Sequence, residues 1–300
     1  MTDQRSSLRP VALPRLFEVV DTAVKFSTPS DIVSRLNVSK RRANEVVEAA
    51  TRIGLLTEQD CSHLDEYKYC TTTNGQGLLR AIRREDWKEV SRILREGSPH
   101  YHRFLSVVRD VGPASRETLL TAVQVRSEES RLTFNETGLD VLCDWGERLG
   151  SVQRNSYSGD YYPVSDSVQG FRIVVAVEEV YEELNETVGV AMRRRSIPIP
   201  EFREQLCEKL RCSRAEAEEI LVELNRANTT VELQGAPMDT VAKEAPYGTK
   251  SIELDEKDGL ITANQTTEQI LTGLRLAGRE YYYIAIHGST SNLDYPQDDD

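Results

Sequence analysis

Long apolar runs are missing from this sequence. The longest aliphatic run, Ile173 to Val177, has five residues, far short of the roughly 18 that a membrane-spanning helix needs. The first residues also lack a basic stretch followed by an apolar core, so no secretory signal is predicted. We therefore expect a protein without a membrane segment, located in the cytoplasm.

Lysine is scarce, and basic residues as a whole are outnumbered. The 300 residues include 49 acidic and 37 basic side chains, a formal net charge of −12, and only 8 of the basic residues are lysines. An acidic chain in which arginine largely replaces lysine resembles the proteins of haloarchaea, whose cytoplasm holds molar salt. At about 1 M salt the Debye length is about 3 Å, so the self-repulsion of such a surface is screened. An ordinary acidic protein is the alternative.

Paired cysteines and the common catalytic motifs are also missing. The five cysteines include no CxxC pair, which predicts reduced thiols. Because the sequence has no GxSxG, Walker, GxGxxG or HExxH motif, we expect no enzymatic activity and no cofactor. Cys61, His63 and Cys70 could offer soft metal ligands, but structural zinc sites usually contain tighter pairs, so no metal site is predicted.

One order of elements recurs along the chain and is clearest over residues 14–84. Apolar residues at helical spacing alternate there with cap and turn signals. Ser30 or Asp31 is expected to cap a short helix, and Ser39 a longer one that ends at Gly54. The predicted elements are a helix over 16–24, a helix near 32–36, a helix from Lys40 to about Ile53, strands at 55–57 and 67–71, and a helix over 74–82.

This order of helix, short helix, turn, longer helix and hairpin resembles the winged helix-turn-helix family. The likeness is carried by residues 30–56 and by the strand-to-helix exit at 69–75. It implies a DNA-binding unit whose third helix enters the major groove. Residues 147–152 align by eye with 51–56, which predicts a second unit of the same kind.

We predict a mainly α chain with small β-hairpins (α+β), made of tandem winged-helix-like units. The predicted segments are a flexible leader at 1–13, a first winged helix at 14–86, a helical segment plus second winged helix at 87–168, a third unit at 169–288 with a long wing insertion and a C-terminal helix and strand, and an acidic disordered tail at 289–300.

The later segments are predicted in less detail. Asn135 and Ser213 are expected to cap the helices that correspond to the one starting at Lys40, and Asn228 to end the last of these in the left-handed conformation. The third wing would pair strands 230–233 and 251–254. A helix over 266–277 and an aromatic strand over 281–286 would follow.

Basic side chains cluster at the start of the third predicted helix. Residues 35–52 carry five basic and two acidic side chains in an otherwise acidic chain. Arginine reads guanine and asparagine reads adenine through paired hydrogen bonds, while other cations contact phosphates. The candidate DNA-binding residues are Arg35, Lys40, Arg41, Arg42, Asn44 and Arg52, together with the basic run Arg193, Arg194 and Arg195. A solvated face whose cations balance nearby acids is the alternative.

The corresponding helices of the later segments are acidic at their starts. The second offers Glu136 and Asp140, and the third surrounds Arg214 with glutamates. The leading hypothesis is therefore a transcriptional regulator or other factor that binds double-stranded DNA through its first unit. The alternative is a protein-interaction scaffold or homo-oligomer, an accessory subunit in a chromosome-maintenance, polymerase or mobile-element/defence complex.

Overall fold

The computed structural model describes residues 6–7, 11–24, 27–61, 66–128, 130, 132–165, 168, 170–186, 196–235, 246–254, 261–266, 268–287 and 293–295. The described chain is mainly helical with small sheets of two or three strands, which confirms the predicted α+β class. None of its helices combines the length and the apolar character that crossing a membrane requires.

The elements are numbered in chain order. The helices are α1 (Leu13–Thr22), α2 (Pro29–Leu36), α3 (Lys40–Arg52), α4 (Thr73–Arg83), α5 (Trp87–Gly97), α6 (Pro99–Val111), α7 (Arg116–Val125), α8 (Glu136–Arg148), α9 (Gly170–Glu186), α10 (Ile199–Leu210), α11 (Arg214–Ala227) and α12 (Glu268–Leu271). The strands are β1 (Ser6–Ser7), β2 (Leu56–Cys61), β3 (Glu66–Thr71), β4 (Leu132–Thr133), β5 (Val152–Arg154), β6 (Tyr161–Pro163), β7 (Ile197–Pro198), β8 (Val231–Gln234), β9 (Thr249–Leu254), β10 (Ile261–Thr266), β11 (Leu274–Leu276), β12 (Arg279–Tyr281) and β13 (Tyr283–Ile286).

The chain divides into two compact units. The first comprises Met1–Val152 and Lys250–Gln265, and the second comprises Gln153–Thr249 and Thr266–Asp300. The predicted division into three winged-helix-like segments stays a prediction, because it concerns a repeated order of elements and these two units do not test it.

In the first unit, α2 and α3 begin at caps that the local sequence supplies. The Thr28 hydroxyl accepts a hydrogen bond from the Asp31 amide at 3.2 Å, and the Asp31 carboxylate accepts one from the Thr28 amide at 2.9 Å. Our prediction that Ser30 or Asp31 is the cap was wrong, because this reciprocal bonding satisfies two amides at once and starts α2 at Pro29. Ser39 caps α3, as predicted.

α1, α2 and α3 share one apolar cluster. α1 packs against both α2 and α3, and Asn37 turns the chain between the last two with a φ of 48°. Asparagine tolerates this left-handed conformation. The buried side chains are Leu13, Leu16, Phe17, Val19, Val20, Ile32, Leu36, Ala43, Val46, Val47 and Ala50. Since the apolar residues of α3 lie on one side, its opposite side is left to solvent.

Hydrogen bonds hold the β2–β3 hairpin against these helices. Ser27 and Tyr69 exchange two backbone bonds, of 3.0 and 2.9 Å. The Thr72 hydroxyl donates to the Gly54 carbonyl oxygen at 2.7 Å and accepts from the Gly75 amide at 3.1 Å. Thr72 therefore joins the turn after α3 to the start of α4.

Two glycines allow α4 and α5 to approach the C-terminal end of α3. A Cβ on Gly75 would lie 2.3 Å from the Leu55 carbonyl oxygen, and a Cβ on Gly97 would lie 2.3 Å from the Ile53 carbonyl oxygen. Backbone oxygens cannot swing aside as a flexible side chain can. α4 and α5 can therefore lie this close to the end of α3 because Gly75 and Gly97 have no Cβ atom.

Trp145 of α8 is buried in the core of the first unit. Its ring meets Tyr101 edge-on at a centroid distance of 5.7 Å, and its Nε1 donates to the Val11 carbonyl oxygen at 3.0 Å. Val11 and Leu13 are buried, so the predicted flexible leader at 1–13 extends too far. The Val11 carbonyl oxygen supplies the partner that a buried indole N–H needs.

The predicted third wing requires strand β9 to pair with β8, but the two strands belong to different sheets. β9 pairs with β10, and Lys250 in β9 binds Glu147 of α8 through Nζ at 2.8 Å. β8 pairs instead with β13. Of the long insertion that follows β8, residues 236–245 lie outside the part of the chain that the structure describes.

The second unit is built on the antiparallel sheet β7–β13–β8. The central strand is β13, where Ile284 faces Ile197 of β7 and Leu233 of β8. Apolar residues of α9, α10 and α11 complete the core, with buried members that include Val177, Val180, Phe202, Leu206, Ile220, Leu221 and Leu224. Ser213 caps α11 in this unit, and Asn135 caps α8 in the first unit, both as predicted.

The C-terminal helix and strand differ from the prediction. Where one helix over 266–277 was predicted, the described residues form the short α12 and then the β11–β12 hairpin. Ala277 and Gly278 have φ values of 50° and 76°, which suits a two-residue hairpin turn. The predicted aromatic strand at 281–286 is divided at Tyr282, whose carbonyl accepts from the Ile199 amide at 2.8 Å.

Asn228 was predicted to be left-handed but is extended, with φ −123°. Its side chain instead bonds the main chain of Asp294, donating to the carbonyl oxygen at 2.8 Å and accepting from the amide at 2.7 Å. Leu293 is buried in the same core. The predicted disordered tail at 289–300 was therefore wrong for 293–295, and its other residues lie outside those described.

Replacing Gly75 or Gly97 with alanine should lower the free energy of unfolding of the first unit by about 1–3 kcal/mol, because the added methyl meets a backbone carbonyl. Trp87 and Trp145 both lie in this unit, so urea titration followed by tryptophan fluorescence measures the change. Gly77→Ala is the control, since its Cβ has room at 3.7 Å from Ile93 and should stabilise helix α4. Equal effects at all three positions would contradict the close approach.

Candidate nucleic-acid interface

The solvent-exposed surface of α3 carries four of the nine predicted DNA-binding residues. Lys40, Arg41, Asn44 and Arg52 are exposed on α3, whereas Ala43, Val46, Val47 and Ala50 are buried. Lys40 and Asn44 are neighbours on the helix surface, because residues four apart along a helix lie above one another. The structure thus places these four predicted residues on one exposed helix, with Lys40, Arg41 and Asn44 near its start and Arg52 at its end.

The first turn of α3 has an unusual charge. Lys40, Arg41 and Arg42 occupy it, and it contains no acidic residue. The amide dipoles at a helix N-terminus favour negative charge, so three cations there oppose the usual preference. A bound anion would relieve this repulsion. The arrangement is therefore suited to phosphate or to the electronegative edge of a base.

Carboxylates on α3 partly neutralise the arginines. Arg41 Nε donates to Glu45 Oε1 at 3.2 Å, Arg42 Nη1 donates to Glu45 Oε2 at 2.9 Å, and Arg52 Nη2 donates to Glu48 Oε1 at 2.9 Å. The hydrogen bonds from Arg42 and then Arg41 lower the pKa of Glu45 below its ordinary value. The i,i+3 and i,i+4 spacing could have revealed these pairs in the sequence. The alternative of balanced charge thus has direct support for three of the arginines.

Two other predicted cations differ from these three. Arg35 is exposed in the last turn of α2, and Lys40 is exposed at the start of α3. Neither forms an ion pair with another residue in the described ranges of the chain. The basic run Arg193, Arg194 and Arg195 lies outside those ranges.

The hairpin beside α3 is not basic. Glu58 and Gln59 are exposed on β2, and burial, followed by the nearby Glu58 carboxylate, raises the pKa of Tyr69. Carboxylates repel a phosphate backbone, so this hairpin is a poor second contact for DNA.

Three residues of the hairpin were considered as metal ligands. Cys70 is a half-buried free thiol, whereas His63 and the side chain of Cys61 lie outside the part of the chain that the structure describes. No cluster of metal-binding side chains occurs among the residues that the structure describes.

Cations near the later candidate helices are held in ion pairs. Arg116 of α7 binds Asp140 of α8 through two hydrogen bonds of 2.5 and 3.1 Å. In the second unit, Arg214 of α11 turns inward and binds both carboxylate oxygens of Glu204 at 2.5 and 2.7 Å. Arg214 therefore has a structural role there.

Sequence reasoning missed the network around Glu204. This carboxylate is fully buried on α10 and also accepts from the Ser156 amide at 2.9 Å. Arg214 Nη2 donates further to the Arg154 carbonyl oxygen at 2.9 Å, so one ion pair fastens the turn after β5 to α10 and α11. The contacts join residues 10 and 48 positions from Glu204, which no local sequence pattern could indicate.

Two thiols lie next to this network. Cys207 and Cys212 are fully buried at the end of α10, where the Cys212 amide donates to the Cys207 carbonyl oxygen at 3.2 Å. An apolar contact between these two positions is typical of a helix that ends in a left-handed residue, here Arg211 with φ 61°. Burial, followed by the hydrogen bond with Cys212, raises the pKa of the Cys207 thiol.

No protein-family model matches the chain, and no curated protein matches it. Among solved structures, the chain is similar to an SspB crystal structure, with 13% identity, a TM-score of 0.38, and coverage of 79% of this chain and 83% of that one. It is also similar to a magnesium ion-bound SspB crystal structure, with 12% identity, a TM-score of 0.37, and coverage of 78% and 79%. TM-scores this low do not establish a shared fold, so neither likeness bears on function.

Arg214→Ala should lower the free energy of unfolding of the second unit by about 3–5 kcal/mol, because it leaves the Glu204 carboxylate buried without its cation. Arg226→Ala on the same helix is the matched control. Arg226 pairs with Glu223 on the surface and should cost about 1 kcal/mol at most. Urea titration followed by far-UV circular dichroism tests both, and equal effects would refute the structural role of Arg214.

The buried Cys207 thiol should make stability fall in alkaline solution. The unfolded chain loses this proton near the ordinary pKa of 9.0, while the folded chain keeps it, so the free energy of unfolding declines as pH rises above about 9. Cys207→Ala should show a shallower decline in urea titrations between about pH 8 and 10. Cys70→Ala controls for loss of a thiol as such. Parallel pH profiles for Cys207→Ala and the unmodified protein would contradict the expectation.

Proposed function

We propose that the chain is a DNA-binding protein, a transcriptional regulator or other DNA-associated factor, that reads the major groove with α3. The observation that carries the proposal is the exposed set Lys40, Arg41 and Asn44 at the start of α3, in a chain of net charge −12. The helix order α1–α2–α3 and the β2–β3 hairpin support the likeness to the winged helix-turn-helix family.

The geometry of α3 suits this role. Its 13 residues span about 20 Å at about 1.5 Å per residue, and a major groove about 12 Å wide accepts a helix. Arg41 and Asn44 are the base-reading candidates, because guanine and adenine offer paired hydrogen-bonding groups to these side chains. Arg35 and Lys40 would contact phosphates and set the register.

The overall charge of the chain restricts how it would bind. A net charge of −12 opposes approach to DNA over distances longer than the Debye length, and this repulsion weakens as salt rises. Counterion release has the opposite dependence and weakens binding at high salt. A haloarchaeal cytoplasm would screen the repulsion but also weaken contacts that depend on counterion release. Binding there would therefore use a few contacts of good geometry and not a broad basic surface.

A protein-interaction scaffold is the second candidate. It is favoured by the charges near α8 and α11. There Arg116 and Arg214 are bound to carboxylates, and Glu219 is exposed. Such surfaces suit a protein partner or a second copy better than DNA. Sedimentation of the purified chain over a range of concentrations tests the homo-oligomeric form of this candidate.

Replacing Lys40, Arg41 and Arg42 together with alanine should weaken binding of duplex DNA at least about tenfold, because several phosphate or base contacts are lost. The side chains lie on the solvent face or its border, so the fold should persist. Titration of fluorescent fragments in stepped potassium chloride measures affinity, and the slope of affinity against salt should become shallower by about one for each lost phosphate contact.

The matched control replaces Arg92, Arg109 and Arg226, three exposed arginines of α5, α6 and α11, and removes the same formal charge elsewhere. Loss of affinity confined to the α3 variant supports the proposed groove helix. If both variants bind alike, or if the unmodified protein binds no fragment, DNA recognition by α3 is rejected and the scaffold becomes the better proposal.

A further inference from the structure

Glu45 is the side chain that connects the two arginines of the first turn of α3. Its Oε1 accepts from Arg41 Nε at 3.2 Å and its Oε2 accepts from Arg42 Nη1 at 2.9 Å. The exposed fractions of the side chains are 26% for Glu45, 44% for Arg42 and 91% for Arg41. One carboxylate therefore anchors a guanidinium that is otherwise almost entirely in solvent.

The atom that Glu45 holds determines what Arg41 can still offer. A guanidinium presents five N–H groups in one plane, and the Nη1 and Nη2 groups form the fork that matches guanine O6 and N7. Glu45 occupies Nε, which is not part of that fork. Arg41 makes no other hydrogen bond to the described residues, so the fork remains available while the plane of the group is held.

Restraining Arg41 changes the cost of ordering it. A long exposed side chain loses rotamer freedom when it is fixed in a complex, and a neighbour that fixes it beforehand reduces this loss. Carboxylate partners have the same orienting effect on histidines that bind metals. Glu45 also repels phosphates near the start of α3, which penalises contacts with the DNA backbone that carry no sequence information.

We propose that Glu45 is a specificity-determining residue of α3, which positions the Nη fork of Arg41 for guanine in the major groove and disfavours nonspecific contact with phosphate. This inference rests on the proposed function. Specificity is a difference between two affinities, and Glu45 affects both, strengthening the guanine contact and weakening the phosphate contact.

The test begins with selection of preferred sites by the unmodified protein from randomised duplexes. Each guanine of the selected site is then replaced by 7-deazaguanine, which lacks the N7 acceptor. For the unmodified protein, one replacement should weaken binding about tenfold, as expected for loss of a base contact. For Glu45→Gln, the same replacement should weaken binding less than about threefold, while affinity for random duplex should rise.

The control is Glu89→Gln on α5. Glu89 binds Arg92 through both oxygens at 2.7 Å, so this variant removes the same charge from another arginine pair and should keep the full dependence on N7. Thermal unfolding of both variants shows whether a folding defect is present. A merely structural role of Glu45 would change affinity for all duplexes by one factor and leave the guanine dependence intact.

The outcomes separate the two proposals. If the unmodified protein selects a site and Glu45→Gln retains the tenfold dependence on N7, the role of Glu45 is overturned while DNA binding stands. If no sequence is enriched, sequence-specific reading by α3 is overturned together with the role of Glu45. Loss of the N7 dependence in Glu45→Gln alone, with higher affinity for random duplex, establishes the inference.

Discussion

The close approach of backbone at the C-terminal end of α3 is the constraint on which the candidate interface depends. Gly75 and Gly97 have room for hydrogen alone beside the Leu55 and Ile53 carbonyl oxygens. Helices α4 and α5 therefore meet the turn after α3 at backbone distance, and Thr72 bonds the same turn. With one end of α3 held in this way and one side buried, its solvent face has a defined direction. A groove-reading helix needs such rigidity, because side chains held on regular elements are placed more accurately than those on loops.

The electrostatics of the first unit combine attraction and repulsion within a few residues. Basic residues begin α3, while Glu45 and Glu48 follow on the same helix and Glu58 lies on the neighbouring hairpin. The second unit uses its charges differently. There the Glu204–Arg214 pair is buried and bonded to the Ser156 amide and the Arg154 carbonyl, and exposed ion pairs of the kind seen on α3 contribute little to stability in comparison. Arginine–glutamate pairs thus have a proposed role in DNA recognition in the first unit and stabilise the fold in the second.

Local features could be predicted from the sequence, and long-range ones could not. Ser39, Asn135 and Ser213 cap their helices as expected, because a cap depends on residues two or three positions away. The partner of Arg214 lies on another helix, and β8 pairs with a strand about fifty residues later. The hydrophobic periodicity of a sequence does not indicate which distant residues or strands pair. At the candidate interface, helical spacing indicated the exposed face of α3 and could also have indicated the pairing of Arg41 with Glu45. Only the structure shows that Glu45 binds Nε of Arg41.

The central place of β13 in its sheet has a consequence for biosynthesis. Because β7 and β8 both pair with β13 at residues 283–286, neither strand has this partner until that stretch has emerged from the ribosome. The nascent second unit must therefore wait with unpaired strand edges, a state prone to misassociation. Helices α1 to α4 and the β2–β3 hairpin, in contrast, lie within residues 13–83 and contact near neighbours in sequence. Vectorial synthesis would thus let the candidate DNA-reading part form first, while the rest of the polypeptide is still being made.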